Sequence, residues 1–146
     1  MKKTVFLLAA LLTMLCLPAS AQTSLPTDTV YGVREISQDE FRQFIGDWAT
    51  DGWAPARGRT VVVDFKAAWC IPCRRMAPEL LNVAQHYDGK VDFYSVDVDA
   101  NKALTRALQI RSVPTLLVCR LDGQRRFIIG FYPASELIQA IDQALK

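Results

Sequence analysis

The stretch that most constrains the fold is TVVVDF, residues 60–65, a continuous and mainly β-branched run. Such a run is typical of a strand that is covered on both faces. Apolar residues at helical spacing follow over 72–87, and VDFYSV at 91–96 predicts a second strand. A helix between two neighbouring strands is a crossover connection, which makes the strands parallel. This part of the chain is therefore predicted to form a β-α-β unit.

Further elements are predicted before this unit. VYGVREI, residues 30–36, could supply a short edge strand. Ser37 and Glu40 have the spacing of a capping box, which begins a helix. The predicted helix has one apolar face, formed by Phe41, Phe44, Ile45 and Trp48.

The chain after residue 97 continues the alternation. Asp99 or Asn101 can cap a short helix, and residues 113–120 form a third main strand. Asp122-Gly123 predicts a hairpin turn into an antiparallel strand at 125–131, and Pro133 introduces a last helix. The element order predicts one α/β domain over residues 30–146. Its mixed central sheet of four to five strands should be flanked by helices on both faces.

The N-terminus has the pattern of a cleavable secretory signal. Lys2 and Lys3 precede an apolar run over 5–17, and a small-residue motif ends at Ala21. We therefore expect cleavage after Ala21, a flexible lead-in over 22–29, and a periplasmic or otherwise exported protein. A lipoprotein anchored at Cys16 is the disfavoured alternative, because Leu15 stands where a small residue would be expected.

The charge balance and the number of cysteines exclude some classes of function. Loss of Lys2 and Lys3 lowers the 17 basic residues to 15, equal to the 15 acidic ones. Composition therefore gives no basic face for nucleic acid or anionic lipid. Cys70, Cys73 and Cys119 remain, too few for a disulfide-stapled scaffold, and export would place them where a close pair can oxidise.

Cys70 and Cys73 are separated by two residues at the start of the predicted helix. The helix N-terminus stabilises a Cys70 thiolate, Arg74 adds positive charge nearby, and Cys73 lies one turn further on. Zinc would need four ligands, and the chain offers one such pair, a distant Cys119 and the single His86. A purely structural bridge would close too small a loop to stabilise much. A redox pair is the preferred interpretation, with no metal and no cofactor.

VVVDFKAAWCIPCRRMAPEL followed by ALQIRSVPTLLVCRLDGQRRFIIGF resembles the thioredoxin family from about residue 30 to the C-terminus. The resemblance implies the thioredoxin fold. It also implies a solvent-accessible nucleophile at Cys70, a buried resolving thiol at Cys73, and proton transfer by Asp64. Cys119, within an apolar strand, is expected to be a buried inert thiol.

The resemblance also implies a substrate-binding surface around the pair. Pro114 matches the family's cis-proline, Trp69 an exposed aromatic residue, and Gly130 a glycine that keeps the groove open. Ile71, Pro72 and Val113 complete the predicted surface.

Two positions depart from the family pattern. Ser95 stands where well-known members carry a lysine near the aspartate, and Lys66 replaces an aromatic residue. Lys66 shares a strand face with Asp64, so it is expected to supply the missing positive charge. Ile71-Pro72 puts no charge or donor beside Cys70, which favours a reductant or isomerase over a strong oxidant.

The function predicted from these residues is an exported thiol-disulfide oxidoreductase, a monomer that acts on disulfide-containing exported proteins. A membrane thiol relay is expected to donate its electrons. The alternatives are a thioredoxin-fold binding or chaperone module without redox turnover, and a disulfide-introducing oxidase. A partner-specific reductase, as in cytochrome maturation, is disfavoured because the chain has no room for the insertion that such proteins usually carry.

Overall fold

The computed structural model describes residues 32–50 and 52–146. The predicted signal peptide, the lead-in, Cys16 and Ala21 lie outside the described residues. Among the residues described, no helix is long and apolar enough to cross a membrane.

The central sheet has five strands in the order β1-β3-β2-β4-β5. Their bounds are β1 Arg34–Glu35, β2 Thr60–Lys66, β3 Val91–Asp97, β4 Thr115–Cys119 and β5 Arg125–Ile129. β3 lies parallel to both β1 and β2, whereas β4 pairs antiparallel with β2 and with β5. The predicted mixed sheet and the predicted order of elements are confirmed.

Four helices cover the two faces of this sheet: α1 Gln38–Phe44, α2 Ile71–Tyr87, α3 Lys102–Ala107 and α4 Ala134–Ala144. Buried residues of α2 and α4 pack with Val62 and Leu116 on one face. Residues of α1 and α3 pack with Val61, Val63 and Phe65 on the other. Successive side chains of β2 therefore pack into the cores on opposite faces of the sheet. This explains why the apolar run of β2 is uninterrupted.

Helix α1 begins as predicted and ends earlier than predicted. The Ser37 side chain accepts from the Glu40 N–H, and Glu40 bonds back to the Ser37 N–H, which completes the capping box. The helix stops at Phe44, so the prediction that Trp48 belongs to it was wrong. Gly46 has a φ of +140°, a conformation that turns the chain away from the helical path.

The β3–α3 connection is held by Asn101, which occupies the N-cap position of α3 but makes no capping hydrogen bond there. Its side chain instead accepts from the Gln38 N–H at 2.6 Å and donates to the Asp97 carbonyl at 2.9 Å. Asn101 therefore joins the start of α1 to the end of β3, and it is buried.

Candidate active site

The N-terminus of α2 carries the two cysteines. Cys70 is the N-cap residue, Pro72 lies in the first turn, and the helix continues through Pro78 to Tyr87. Cys70 and Cys73 are joined by a disulfide bond, and the Cys73 N–H donates to the Cys70 sulfur at 3.1 Å. An N–H aimed at this sulfur favours its thiolate form once the pair is reduced.

The exposure of the pair differs from what the resemblance implies. Cys70 is 3% exposed and Cys73 is 5% exposed. The prediction that Cys70 is solvent-accessible was therefore wrong for this oxidised pair. Ala67 is buried with the two cysteines, and Val98 and Val113 pack against them. The two cysteines therefore differ in their position on the helix rather than in their exposed fraction.

The loop before β4 and the end of β5 meet beside the pair. The Val113–Pro114 peptide bond is cis, as the resemblance implies. The Pro114 carbonyl accepts from the Gly130 N–H at 2.9 Å, which ties the loop to the end of β5. A side chain built at Gly130 would begin in open space, although its φ of +101° favours glycine. The surface next to Pro114 is therefore open.

Asp64 is a buried carboxyl group on the central strand β2, near the end of that strand. It is 3% exposed, and its Oδ1 has no hydrogen-bond partner among the described residues. Asp64 shares a strand face with Val62, which packs against Met76 and Leu80 of α2, so the carboxyl group faces the cysteine-bearing helix. Burial raises the pKa of Asp64 to about 7, and the nearby positive charge of Lys66 opposes this rise. A carboxyl group with this pKa can accept or release a proton near neutral pH.

The side chain of Lys66 is held at the edge of the sheet. Its Nζ lies 2.7 Å from Oε2 of Glu35, a residue of the outer strand β1. Ser95, the residue found where family members carry a lysine, is buried and lies between Glu35 and Asp64 in the strand register. Lys66 is thus the cation that acts on Asp64, and Glu35 holds it.

The remaining predicted residues lie around the helix start. Trp69 and Ile71 are 66% and 64% exposed, and the Trp69 Nε1 donates to Asp99 at 2.8 Å. Arg74 donates to the Ala68 carbonyl at 3.0 Å, in the turn that leads to the cysteines. Two large apolar side chains are therefore exposed next to the disulfide, as a protein-binding surface requires.

The other candidate ligands lie away from the pair. Cys119 is a free, buried thiol of β4, and burial raises its pKa to about 11. The ring of His86 contacts the ring of Tyr87 near the far end of α2. Within the described parts of the chain, no group of three or more His, Cys, Asp or Glu side chains is placed to hold a metal ion.

Sequence reasoning missed Val98, Asp99 and Glu35 at this site. Val98 packs against the two cysteines, Asp99 accepts from Trp69, and Glu35 holds Lys66. These contacts join segments that are distant in sequence. Val98 could have been found from its place just after a buried parallel strand, where side chains reach the end of the sheet that carries the site.

Comparison with known proteins agrees with this geometry. The Thioredoxin family model matches residues 32–143. A thioredoxin of Borreliella burgdorferi is 30% identical over 97 residues, which cover 66% of this chain and 83% of that protein. A thioredoxin of Staphylococcus aureus is 40% identical over 85 residues, 58% of this chain and 81% of that protein.

Solved structures give the same result. Chloroplastic thioredoxin z superimposes with a TM-score of 0.66 and 32% identity, covering 80% of this chain and 96% of that one. The thioredoxin of Malassezia sympodialis gives a TM-score of 0.60 and 32% identity, covering 77% and 90%.

Proposed function

The chain belongs to the thioredoxin family, and we propose that it is exported and reduces or isomerises disulfide bonds of exported proteins through Cys70 and Cys73. One observation carries this proposal: a Cys-x-x-Cys disulfide at a helix N-terminus lies near an open surface beside Pro114 and below a buried carboxyl group with a raised pKa. A binding module would need neither the pair nor the carboxyl group.

The first chemical step falls to Cys70. With the pair reduced, its thiolate attacks one sulfur of the substrate disulfide. A new bond joins Cys70 to that sulfur, and the second substrate sulfur leaves as a thiolate. Trp69, Ile71 and the Pro114 loop surround the attacking sulfur, so they are the residues that would hold the substrate chain.

The second step falls to Cys73. Its thiol transfers a proton to ionised Asp64, and the resulting thiolate attacks the Cys70 sulfur. The Cys70–Cys73 bond forms, and the remaining substrate sulfur leaves and takes up a proton. Two electrons have then moved from the pair to the substrate. In isomerisation a substrate thiol displaces Cys70 instead, with no net transfer of electrons.

The surroundings of Cys70 support a reductive direction. Neither Ile71 nor Pro72 adds a charge to its sulfur. We infer that the reduced form is not strongly over-stabilised, which supports a reductant or isomerase rather than an oxidase. An exported reductant must be re-reduced, and a membrane thiol relay that draws on cytoplasmic dithiols is the proposed donor.

Reduction of insulin disulfides with dithiothreitol tests the activity. We expect turnover by the native protein and none by Cys70→Ser. Cys73→Ser should accumulate mixed disulfides through Cys70, because it cannot complete the second step. Native protein that does not exceed dithiothreitol alone, together with no trapped partner, would favour the binding-module alternative. Export is tested separately, by fractionation of cells and N-terminal sequencing for cleavage after Ala21.

A further inference from the structure

A groove runs along the outer strand β5, with a volume of about 470 Å³. Its apolar lining comes from Leu108 and Ile110, after α3, and from Phe127 and Ile129 of β5. Ile128, between the last two, packs against the core under α2 and α4. Phe127 and Ile129 therefore point to the opposite face of the sheet, which α3 leaves uncovered at this edge.

The exposure of this lining is unusual for side chains of this size. Phe127 is 45% exposed and Ile129 is 62% exposed. β5 pairs with β4 along one edge, and in the described residues no strand pairs with its other edge. An open strand edge next to exposed apolar side chains is suited to the addition of an extended segment from a partner.

Two arginines, Arg111 and Arg125, line the groove, and no acidic residue lines it in the part of the chain that the structure describes. The Arg125 guanidinium lies over the ring of Trp53, 4.4 Å from its centroid, so a defined contact holds this cation at the groove wall. The lining is complementary to a segment that carries carboxylates beside apolar side chains.

The groove is continuous with the surface around the disulfide. Its lining includes Ser112 and Thr115, which flank the Val113–Pro114 pair, and Thr115 lies opposite Ile129 in the strand register. Val113 packs against the two cysteines. A chain bonded to Cys70 that passes the Pro114 loop would therefore enter the groove.

We propose that this groove binds the segment next to the reacting cysteine of the substrate protein, and that it selects extended segments in which apolar and acidic residues stand two positions apart, on the same face of the segment. The inference rests on the proposed function and names its substrate class. A spacing of two suits both requirements, because every second side chain of an extended segment faces the same way, and Arg125, Phe127 and Ile129 line the groove from one face of β5.

Disulfide-linked dimers of short peptides test the selection. Each peptide has a central cysteine flanked on both sides by three residues: leucine occupies the first position, serine the second, and glutamate, glutamine or lysine the third. The reduced native protein is mixed with each dimer, and the second-order rate of peptide release is measured by chromatography. Each rate is divided by the rate of the same dimer with dithiothreitol, because flanking charge also changes the peptide's own reactivity.

We expect the glutamate peptide to react about two- to fivefold faster than the glutamine peptide at low salt, the size of one exposed ion pair. Arg111→Gln should remove most of this preference. Arg126→Gln is the matched control: it also removes one positive charge, but Arg126, a residue of β5, lies outside the groove lining. Phe127→Ser should slow the leucine-containing peptides relative to peptides with serine in place of leucine, while thermal unfolding shows that the variant is folded.

Equal rates for the three charge types would overturn the proposal. So would an equal loss in Arg111→Gln and Arg126→Gln, which would show only a long-range field. A dimer of the native protein that Phe127→Ser abolishes would assign the groove to a second copy of the chain. Reaction with a small aromatic disulfide distinguishes the proposed function from the proposed role of the groove. If the native protein does not reduce this disulfide, the proposed function is refuted. If it does, and the peptide rates are equal, only the role of the groove is refuted.

Discussion

The two cysteines are distinguished at the residue scale by one hydrogen bond rather than by exposure. The Cys73 N–H points at the Cys70 sulfur, which stabilises a Cys70 thiolate but not a Cys73 thiolate. We expect iodoacetamide to alkylate Cys70 first in the reduced, folded protein, as measured by peptide mapping over time. Cys119 should stay unlabelled until denaturation, because it is fully buried. Faster labelling of Cys73 would contradict the assignment.

The raised pKa of Asp64 has a kinetic consequence. The carboxyl group must be ionised to accept the Cys73 proton, so the rate of resolution of a mixed disulfide should rise with pH around 7. Asp64→Asn should abolish this rise and slow resolution by roughly 10²-fold or more at pH 8. Lys66→Met should move the midpoint upward, because the Lys66 charge lowers the pKa of Asp64. Stopped-flow measurement of leaving-thiol release reports both effects. A pH profile that Asp64→Asn leaves unchanged would remove Asp64 from the mechanism.

The same carboxyl group should cost the protein stability. The pKa of Asp64 rises from its ordinary value of 3.8 to about 7 on folding, so the folded state binds more protons between these pH values. The contribution of Asp64 is therefore fully favourable below about pH 4 and is lost as pH rises to about 7. We expect Asp64→Asn to raise the free energy of unfolding at pH 8 by on the order of a few kcal/mol, and to have little effect at pH 4. Urea unfolding at the two pH values checks this, and equal effects at both would contradict it.

The β4–β5 hairpin shows at the element scale how a turn is fixed by a single glycine. Gly123 has a φ of +80°, and a Cβ there would lie 2.9 Å from the Trp53 carbonyl oxygen. Gly58 has a φ of +64° with no atom within 4 Å of its Cβ position, so it is the matched control. We expect Gly58→Ala to cost about 1–2 kcal/mol from backbone conformation, and Gly123→Ala to cost clearly more. Equal losses in chemical denaturation would show that the contact with Trp53 is irrelevant.

Elements with a local signal were predictable from the sequence. The Ser37–Glu40 capping box, the β-branched run of β2 and the Asp122-Gly123 turn are each specified by neighbours in the chain. The end of α1 also has a local signal, Gly46, but the apolar spacing that continues to Trp48 predicts a longer helix. The bridge from Asn101 to Gln38 was not predictable, because it spans 63 positions in the chain. Apart from the end of α1, what sequence reasoning missed depends on contacts between distant segments.

The residues of the site can likewise be divided into those with a signal in the sequence and those without one. Cys70, Asp64 and Pro114 could be found because each matches a family motif. The pairing of Lys66 with Glu35 could not, since it depends on the register of β1 beside β3. The uncovered face of β5 could not be predicted either. It is uncovered because α3 is only six residues long, and no strong stop signal in the sequence marks the end of this helix.

At the scale of the whole molecule, two cores on opposite faces of one sheet hold the cysteine helix, the Pro114 loop and Asp64 together at one end. The central claim is that this end works as a reductant or isomerase. Equilibration of the Cys70–Cys73 pair with glutathione redox buffers, followed by quantification of the reduced fraction, measures the reduction potential. We predict a value nearer to about −270 mV, typical of thioredoxins, than to about −120 mV. A potential above about −150 mV would contradict the account and make the protein an oxidase.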